Sequence, residues 1–438
     1  VRERRPALAR AAFAFTALAR RRRALHLAGL VLAAGLLAAA AAPPAHAKPT
    51  VILVSMDGVR HDYPDREPLP AFARMAKAGA RAEALMPAFP SITFPAHTTL
   101  STGAHPDRHG IVNNVFETPA GEEFRYGAGA EALAAEPLWA AAERQGVRAA
   151  TFFWPISETA WRGVAPSYVR APFDDELPES AKVEQILAWL DLPEDERPGL
   201  VMSWWHGADG PGHEQGPAAE ATRAALREQD AELARLIAGV DARRRWSELT
   251  LIVLSDHGML GTRDALDANA LLAQAGVAGR AINAGALALV RLSAPGEGAA
   301  SASTAADAAR KLDALEPRLR AFARADLPRA LRIGHANAGD VVLLAEPPLA
   351  LYEAWTQLDL WRRVSALWGG EIGVHGYDAE RVPEMRGVFF ALGRGVPRGA
   401  KLGRVRALDV AATVARLLGI DPPAQSEGAP IAAIRASR

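Results

Sequence analysis

The chain has 438 residues, a formal net charge of zero, 50% hydrophobic and 23% charged residues, and no cysteine. That is an ordinary globular composition, and it offers no electrostatic basis for binding nucleic acid or an anionic membrane. Without cysteine there are no disulfides, thiolate metal sites or cysteine nucleophiles, so any metal must rest on oxygen and nitrogen donors.

Residues 1–47 have the layout of a secretory leader: a basic cluster at Arg20–Arg23, an apolar stretch at Leu25–Ala42, and small residues at Ala45 and Ala47 before Lys48. Cleavage there would release a protein into a bacterial periplasm or the medium with no stable membrane anchor. The apolar stretch is long enough that an uncleaved anchor is the alternative. Beyond it, short apolar runs alternate with helical patterns, which predicts an α/β fold with a doubly wound, mostly parallel sheet flanked by helices. The expected strands are Thr50–Ser55, Ala149–Phe153, Leu200–Trp204, Leu249–Leu254 and Gly387–Leu392. The expected helices are Leu69–Ala78, Ala96–Ser101, Glu136–Gln145, Ala181–Leu190, Ala218–Val240 and Ala407–Leu418. Pro155–Asp175, rich in prolines and aromatics, reads as a long irregular loop over the site. Between Met259 and Gly373 the texture changes: an alanine-rich helical stretch at Ser303–Phe322 lies among β-like runs at Leu287–Arg291 and Asp340–Leu344. The expected division is a catalytic core over 48–258, an inserted cap over 259–373, and completion of the core over 374–438.

Five short segments carry the chemistry: SMDG with Asp57, ITFPAH with Thr93, ADGPGH with Asp209 and His213, SDHGM with Asp256 and His257, and VHGYD with His375. Asp57 and Asp256 each follow a continuous apolar run of the kind buried on both faces of a parallel sheet. Reactive groups in open α/β sheets gather at the carboxyl ends of strands, so two acids there point to one site. Three carboxylates and three imidazoles are enough donors for two ions of the Zn²⁺ class with open positions. Gly210, Pro211 and Gly212, between Asp209 and His213, argue against a regular helix there and for a metal-binding turn. His97, His105, His109 and His206 are read as structural. A threonine hydroxyl is a poor nucleophile at neutral pH, and coordination to a cation is a way to activate Thr93 without a histidine base. Thr93 also stands just before a helical run, where backbone N–H groups favour an anion.

The five segments, in this order and at these spacings, resemble the nucleotide pyrophosphatase/phosphodiesterase (type I phosphodiesterase) family of the alkaline phosphatase superfamily, from about residue 50 to 421. The resemblance implies an alkaline-phosphatase-like fold. It implies one zinc on Asp209, His213 and His375, a second on Asp57, Asp256 and His257, and Thr93 as a nucleophile bridging both. Asn114, in the GIVNN segment, would stabilise the transferred phosphoryl oxygen. The substrate would be a small phosphodiester or pyrophosphate, nucleotide-type by preference. Phe94 is expected to stack on a flat group of the substrate, with Tyr168 as the opposing wall. Two positions depart from the family pattern: Ala96 stands where Asn is frequent, and Gly207-Ala208-Asp209 where E-P-D is common. Neither removes a donor, but they leave substrate preference open. The alternative is a phosphomonoesterase on the same fold, which would need a cationic side chain from the cap, such as Lys311. No Lys or Arg stands within ITFPAH, GIVNN or ADGPGH, which favours diesters.

Overall fold

The computed structural model describes residues 48–293, 302–354 and 369–436, with positions 360, 362–364 and 367 between them; the leader expected at 1–47 lies outside this set. Among the described residues no helix is long and apolar enough to cross a membrane.

Residues from Pro49 onward form one compact unit. In chain order its main strands are β1 (Thr50–Met56), β2 (Ala80–Met86), β3 (Ala149–Phe152), β4 (Tyr168–Arg170), β5 (Leu200–Trp205) and β6 (Leu249–Leu254). Then come four strands of a separate sheet, β7 (Gly279–Ala284), β8 (Leu287–Leu292), β9 (Leu319–Ala323) and β10 (Val341–Ala345), and finally β11 (Phe389–Gly393) and β12 (Ala400–Arg406). The principal sheet has the order β12-β2-β11-β6-β1-β5-β3-β4. All its pairings are parallel except those of β11, which runs against both β2 and β6. The central strand β1 is buried throughout. Its residues alternate between two cores, as a period of two requires: Val51 and Leu53 enter one apolar cluster, and Ile52, Val54 and Met56 enter the other. Each such side chain contributes about 1.5–3 kcal/mol on burial, which explains why these runs are continuously hydrophobic.

The helices that cover the sheet include α1 (Pro70–Ala78), α2 (Thr93–Thr102), α3 (Leu138–Arg144), α4 (Glu179–Leu190), α5 (Asp209–Gln215), α6 (Glu220–Arg243) and, near the end, Leu408–Leu418. On α6, Leu226, Leu233, Leu236, Ile237 and Val240 are buried. The four-stranded sheet is antiparallel throughout, in the order β7-β8-β10-β9, and has its own apolar cluster around Ala288, Val290, Leu319, Val341 and Leu343.

Several local expectations need correction. The helical stretch Ser303–Phe322 ends at Asp313, and Phe322 lies in β9, paired with Val342. Pro155–Asp175 is not wholly irregular, because Tyr168–Arg170 adds a parallel edge strand beside β3. The strand β2 was not anticipated: its sequence ARAEALM is made of good helix formers, and sheet pairing on both sides overrides that preference.

Candidate active site

The order β6-β1-β5 brings three strand ends side by side. Asp57 directly follows β1, Asp256 lies just beyond β6, and the segment after β5 leads to Asp209. Gly58 makes the turn after Asp57 at φ +68°, and a Cβ there would come within 3.0 Å of Asp209 Oδ1. Asp209 and His213 stand one turn apart on α5, a regular though short helix, contrary to the turn expected from the glycines. Pro211 sits in the first turn, where its missing N–H costs nothing. The small residues let the helix lie close to its neighbour: a Cβ on Gly373 would fall 2.4 Å from the Gly212 carbonyl oxygen. This spacing places Asp209 Oδ2 and His213 Nε2 3.5 Å apart.

The three imidazoles are oriented alike. His213 Nδ1 donates to the Gly373 carbonyl (3.0 Å), His257 Nδ1 to the Gly258 carbonyl (2.9 Å) and His375 Nδ1 to the Ser91 carbonyl (2.9 Å). A carbonyl only accepts, so each Nδ1 carries a proton, and each ring turns Nε2 inward as the atom free to meet a cation. His257 Nε2 lies 3.4 Å from Asp57 Oδ1 and 3.2 Å from Asp256 Oδ2. His375 Nε2 faces His213 Nε2 at 3.1 Å, and the His257 and His375 rings stack at 3.8 Å. Asp57, Asp256 and His257 present donor atoms within 4.8 Å of one another, as do Asp209, His257 and His375. His213 joins the second set through its contacts to Asp209 and His375. All six expected donors therefore converge.

This arrangement fits bound cations. Asp57 Oδ1, Asp256 Oδ2 and Asp209 Oδ1 are buried oxygens without a hydrogen-bond donor, and the first two face the inward Nε2 of His257. Acceptors facing acceptors repel unless positive charge lies among them. The same crowding shows in the titration behaviour. Burial, followed by the negative charges of Asp256 and Asp209, pushes the Asp57 carboxyl well above its usual range. Burial, with the neighbouring His257 and His213, pushes His375 well below its own. A cation would reverse both effects. One supporting contact had no sequence motif to announce it: the Trp204 indole N–H donates to Asp57 Oδ2 at 2.9 Å, leaving Oδ1 as the free donor.

Thr93 is the first residue of α2, with Ile92 as the extended residue before it, and Thr93 Oγ lies 3.4 Å from His257 Nε2. His97, one turn on, is fully buried and donates from Nδ1 to the Thr93 carbonyl at 2.8 Å. Asn114 is tied to the same helix start, its Oδ1 accepting the Phe94 N–H at 2.8 Å. A cavity of ≈ 370 Å³ opens over Thr93, Asn114, Asp209, His213 and His375; Asn283 and Gly285, around the β7–β8 turn, supply part of its wall. Two of the expected substrate contacts are not there. Phe94 is only 4% exposed, its ring turned into the core against Phe124 and Tyr126. Tyr168 sits on edge strand β4, its ring by Trp189 and its hydroxyl donating to the Glu196 carbonyl at 2.9 Å. Of the tyrosines that line the cavity, Tyr126 is the one in contact with Phe94, and no sequence motif singles it out.

The chain as a whole is similar to known proteins. Residues 51–378 match the family model described as type I phosphodiesterase/nucleotide pyrophosphatase. A pyrophosphatase/phosphodiesterase of Schizosaccharomyces pombe is 38% identical over 224 residues, which cover 49% of this chain and 46% of that protein. Ectonucleotide pyrophosphatase/phosphodiesterase family member 3 of Mus musculus is 32% identical over 224 residues, 50% of this chain and 26% of the mouse protein. The matched stretch thus spans less than half the length of these curated relatives. Among solved structures, murine ectonucleotide pyrophosphatase/phosphodiesterase 5 superposes with a TM-score of 0.74 at 22% identity, covering 85% of this chain and 96% of that one. An inactive threonine-to-alanine variant of that murine protein, in complex with AMP, gives 0.75 at the same identity, covering 86% and 96%. At that identity the likeness establishes the fold, a mostly parallel central sheet of the alkaline-phosphatase-like kind flanked by helices. With the family model matched over well more than half of its length, the chain belongs to the type I phosphodiesterase/nucleotide pyrophosphatase family.

Proposed function

We propose that this protein is an exported hydrolase of phosphodiester or pyrophosphate bonds, nucleotide-type substrates included, that works through a covalent phospho-threonine intermediate on Thr93 with two zinc ions. The observation that carries this reading is the placement of the Thr93 hydroxyl at the head of α2, 3.4 Å from His257 Nε2 and facing the converged carboxylates and imidazoles. Asp209, His213 and His375 would hold one ion, and Asp57, Asp256 and His257 the other. Such ions, when bound, supply Lewis acidity that ionises a hydroxyl and offsets charge on the attacking and leaving oxygens. Thr93 Oγ attacks phosphorus in line, forming a P–O bond as the bond to the leaving oxygen breaks and takes its electron pair away. A water then attacks the phosphorus from the opposite direction and returns the threonine. Through both steps the Asn114 amide N–H is the donor available to a non-bridging oxygen.

Substrate choice follows from charge. Among the described residues lining the cavity there is no Lys or Arg, which suits a monoanionic diester better than a dianionic monoester. Lys311, the cationic candidate for a monoesterase, is paired with Asp307 at 3.1 Å instead. AMP bound to the inactive murine relative supports a nucleotide product. Export rests on the leader pattern of residues 1–47. The test is acid quenching during turnover of a nucleoside 5′-monophosphate aryl ester. A nucleotidyl group recovered on the peptide containing Thr93, with retention of configuration at a chiral phosphorus, is the expected result. Inversion, with no adduct, would mean that water attacks directly.

A further inference from the structure

Asn114 is held at both ends of its amide. The Phe94 N–H needs an acceptor and takes Oδ1 at 2.8 Å, which turns Nδ2 to the other side, where it donates to the Tyr126 hydroxyl at 2.9 Å. An amide nitrogen carries two protons. Tyr126 takes one, and the other remains for a group in the cavity, which Thr93, Asn114 and Tyr126 all line. Tyr126 is itself anchored. Its ring meets the edge of Phe94 at 4.7 Å, and Phe94 meets Phe124, which stacks on Phe116 at 4.5 Å. The residue is nonetheless 56% exposed, and the hydroxyl meets Asn114 on the exposed side, outside the packed core.

We propose that Tyr126 is a positioning residue for phosphoryl transfer: its hydroxyl holds the Asn114 amide against rotation and so fixes which proton meets the non-bridging oxygen. The proposal rests on the Thr93 and Asn114 roles given above. A purely structural Tyr126, serving only as a lid on Phe94, would act through its ring and leave the hydroxyl dispensable.

The experiment is a double-mutant cycle on the metal-loaded full chain with bis(4-nitrophenyl) phosphate, comparing wild type, Tyr126→Phe, Asn114→Ala and the double variant. One hydrogen bond is at stake, so Tyr126→Phe should lower kcat about 3- to 10-fold with KM within about twofold. The ring is retained, so Tm should be unchanged. In the Asn114→Ala background the same substitution should cost nothing further, because the hydroxyl then has no amide to hold. Losses that multiply in the double variant, or a wild-type kcat in Tyr126→Phe, would overturn the proposal. Acid quenching of the wild type separates the two levels of inference. With an adduct on Thr93, multiplying losses remove Tyr126 alone, whereas no adduct removes the underlying mechanism and this proposal with it.

Discussion

Replacing Trp204 by Phe tests how the site keeps Asp57 ready for a cation. The indole N–H is the donor to Asp57 Oδ2, at 2.9 Å, while Oδ1 has no donor. The carboxyl is 2% exposed and already pushed well above its usual range by burial, Asp256 and Asp209, with the indole opposing that shift. A hydrogen bond to a charged group is worth about 1.5–3 kcal/mol, and losing such an outer partner of a metal ligand lowers affinity about 10- to 100-fold. Phe also leaves space beside the stacked Phe173 ring, 4.6 Å away, and the His97 ring, so some loss of Tm is expected from packing alone. The two effects separate in a chelator-buffered zinc titration. The proton competes harder for Asp57 in the variant, so its affinity deficit should be largest near pH 6 and shrink toward pH 8. A variant with reduced Tm but zinc affinity within about twofold of wild type at both pH values would show that Trp204 is packing only.

Thr93→Ala should retain metal but lose about 10²- to 10⁴-fold in rate, whereas Thr93→Ser should keep much of it, as read with a chromogenic diester. His213→Ala should fall by about one zinc per chain on metal analysis, because three protein donors are the usual minimum for a catalytic ion; full occupancy would remove His213 from the ligands. Gly373→Ala should impair metal binding without touching a donor, since its Cβ would press on the Gly212 carbonyl and displace α5 with Asp209 and His213. The last prediction concerns pH. The raised pKa of Asp57 gives the metal-free protein stability below about pH 4 that is lost as pH rises. The lowered pKa of His375 gives stability above about pH 6.5 that is lost as pH falls. A cation favours ionised Asp57 and neutral His375, so the Tm difference between zinc-loaded and chelator-treated protein should widen from pH 5 to pH 8. A difference that stays flat or narrows would contradict the ligand assignment.

The parts of the fold legible in the sequence were those where one local signal dominates. β1 and β6 are continuous apolar runs because both faces are buried, and the acids that follow them stand out for that reason. β2 was hidden because its alanines, glutamate, leucine and methionine favour helix locally, and only its two neighbours make it a strand. α5 was hidden for the opposite reason: its glycines and proline disfavour helix, and close packing of Gly212 against Gly373 and Met259 rewards that residue's small size. The donors were readable as residues, but their supports were not. Trp204 and Ser91 act through hydrogen bonds between segments distant in the chain, and Tyr126 meets Asn114 across a loop that no motif marks. Tyr168 misled because an aromatic residue in a proline-rich stretch looks the same whether it faces a cavity or caps a sheet edge.

The reversed strand β11 has a consequence for how the chain reaches its folded state. β2 has two neighbours in the principal sheet, β11 and β12, and both come from the last fifth of the sequence. During synthesis β2 emerges early and waits, with its edges unpaired, while some three hundred residues follow. Pairings that close such long loops are entropically late and slow to form, and unpaired strand edges invite self-association in the meantime. Every candidate donor lies at or before His375, ahead of β11. A polypeptide released just after His375 would carry all six donors and still lack the strands that complete the sheet around them.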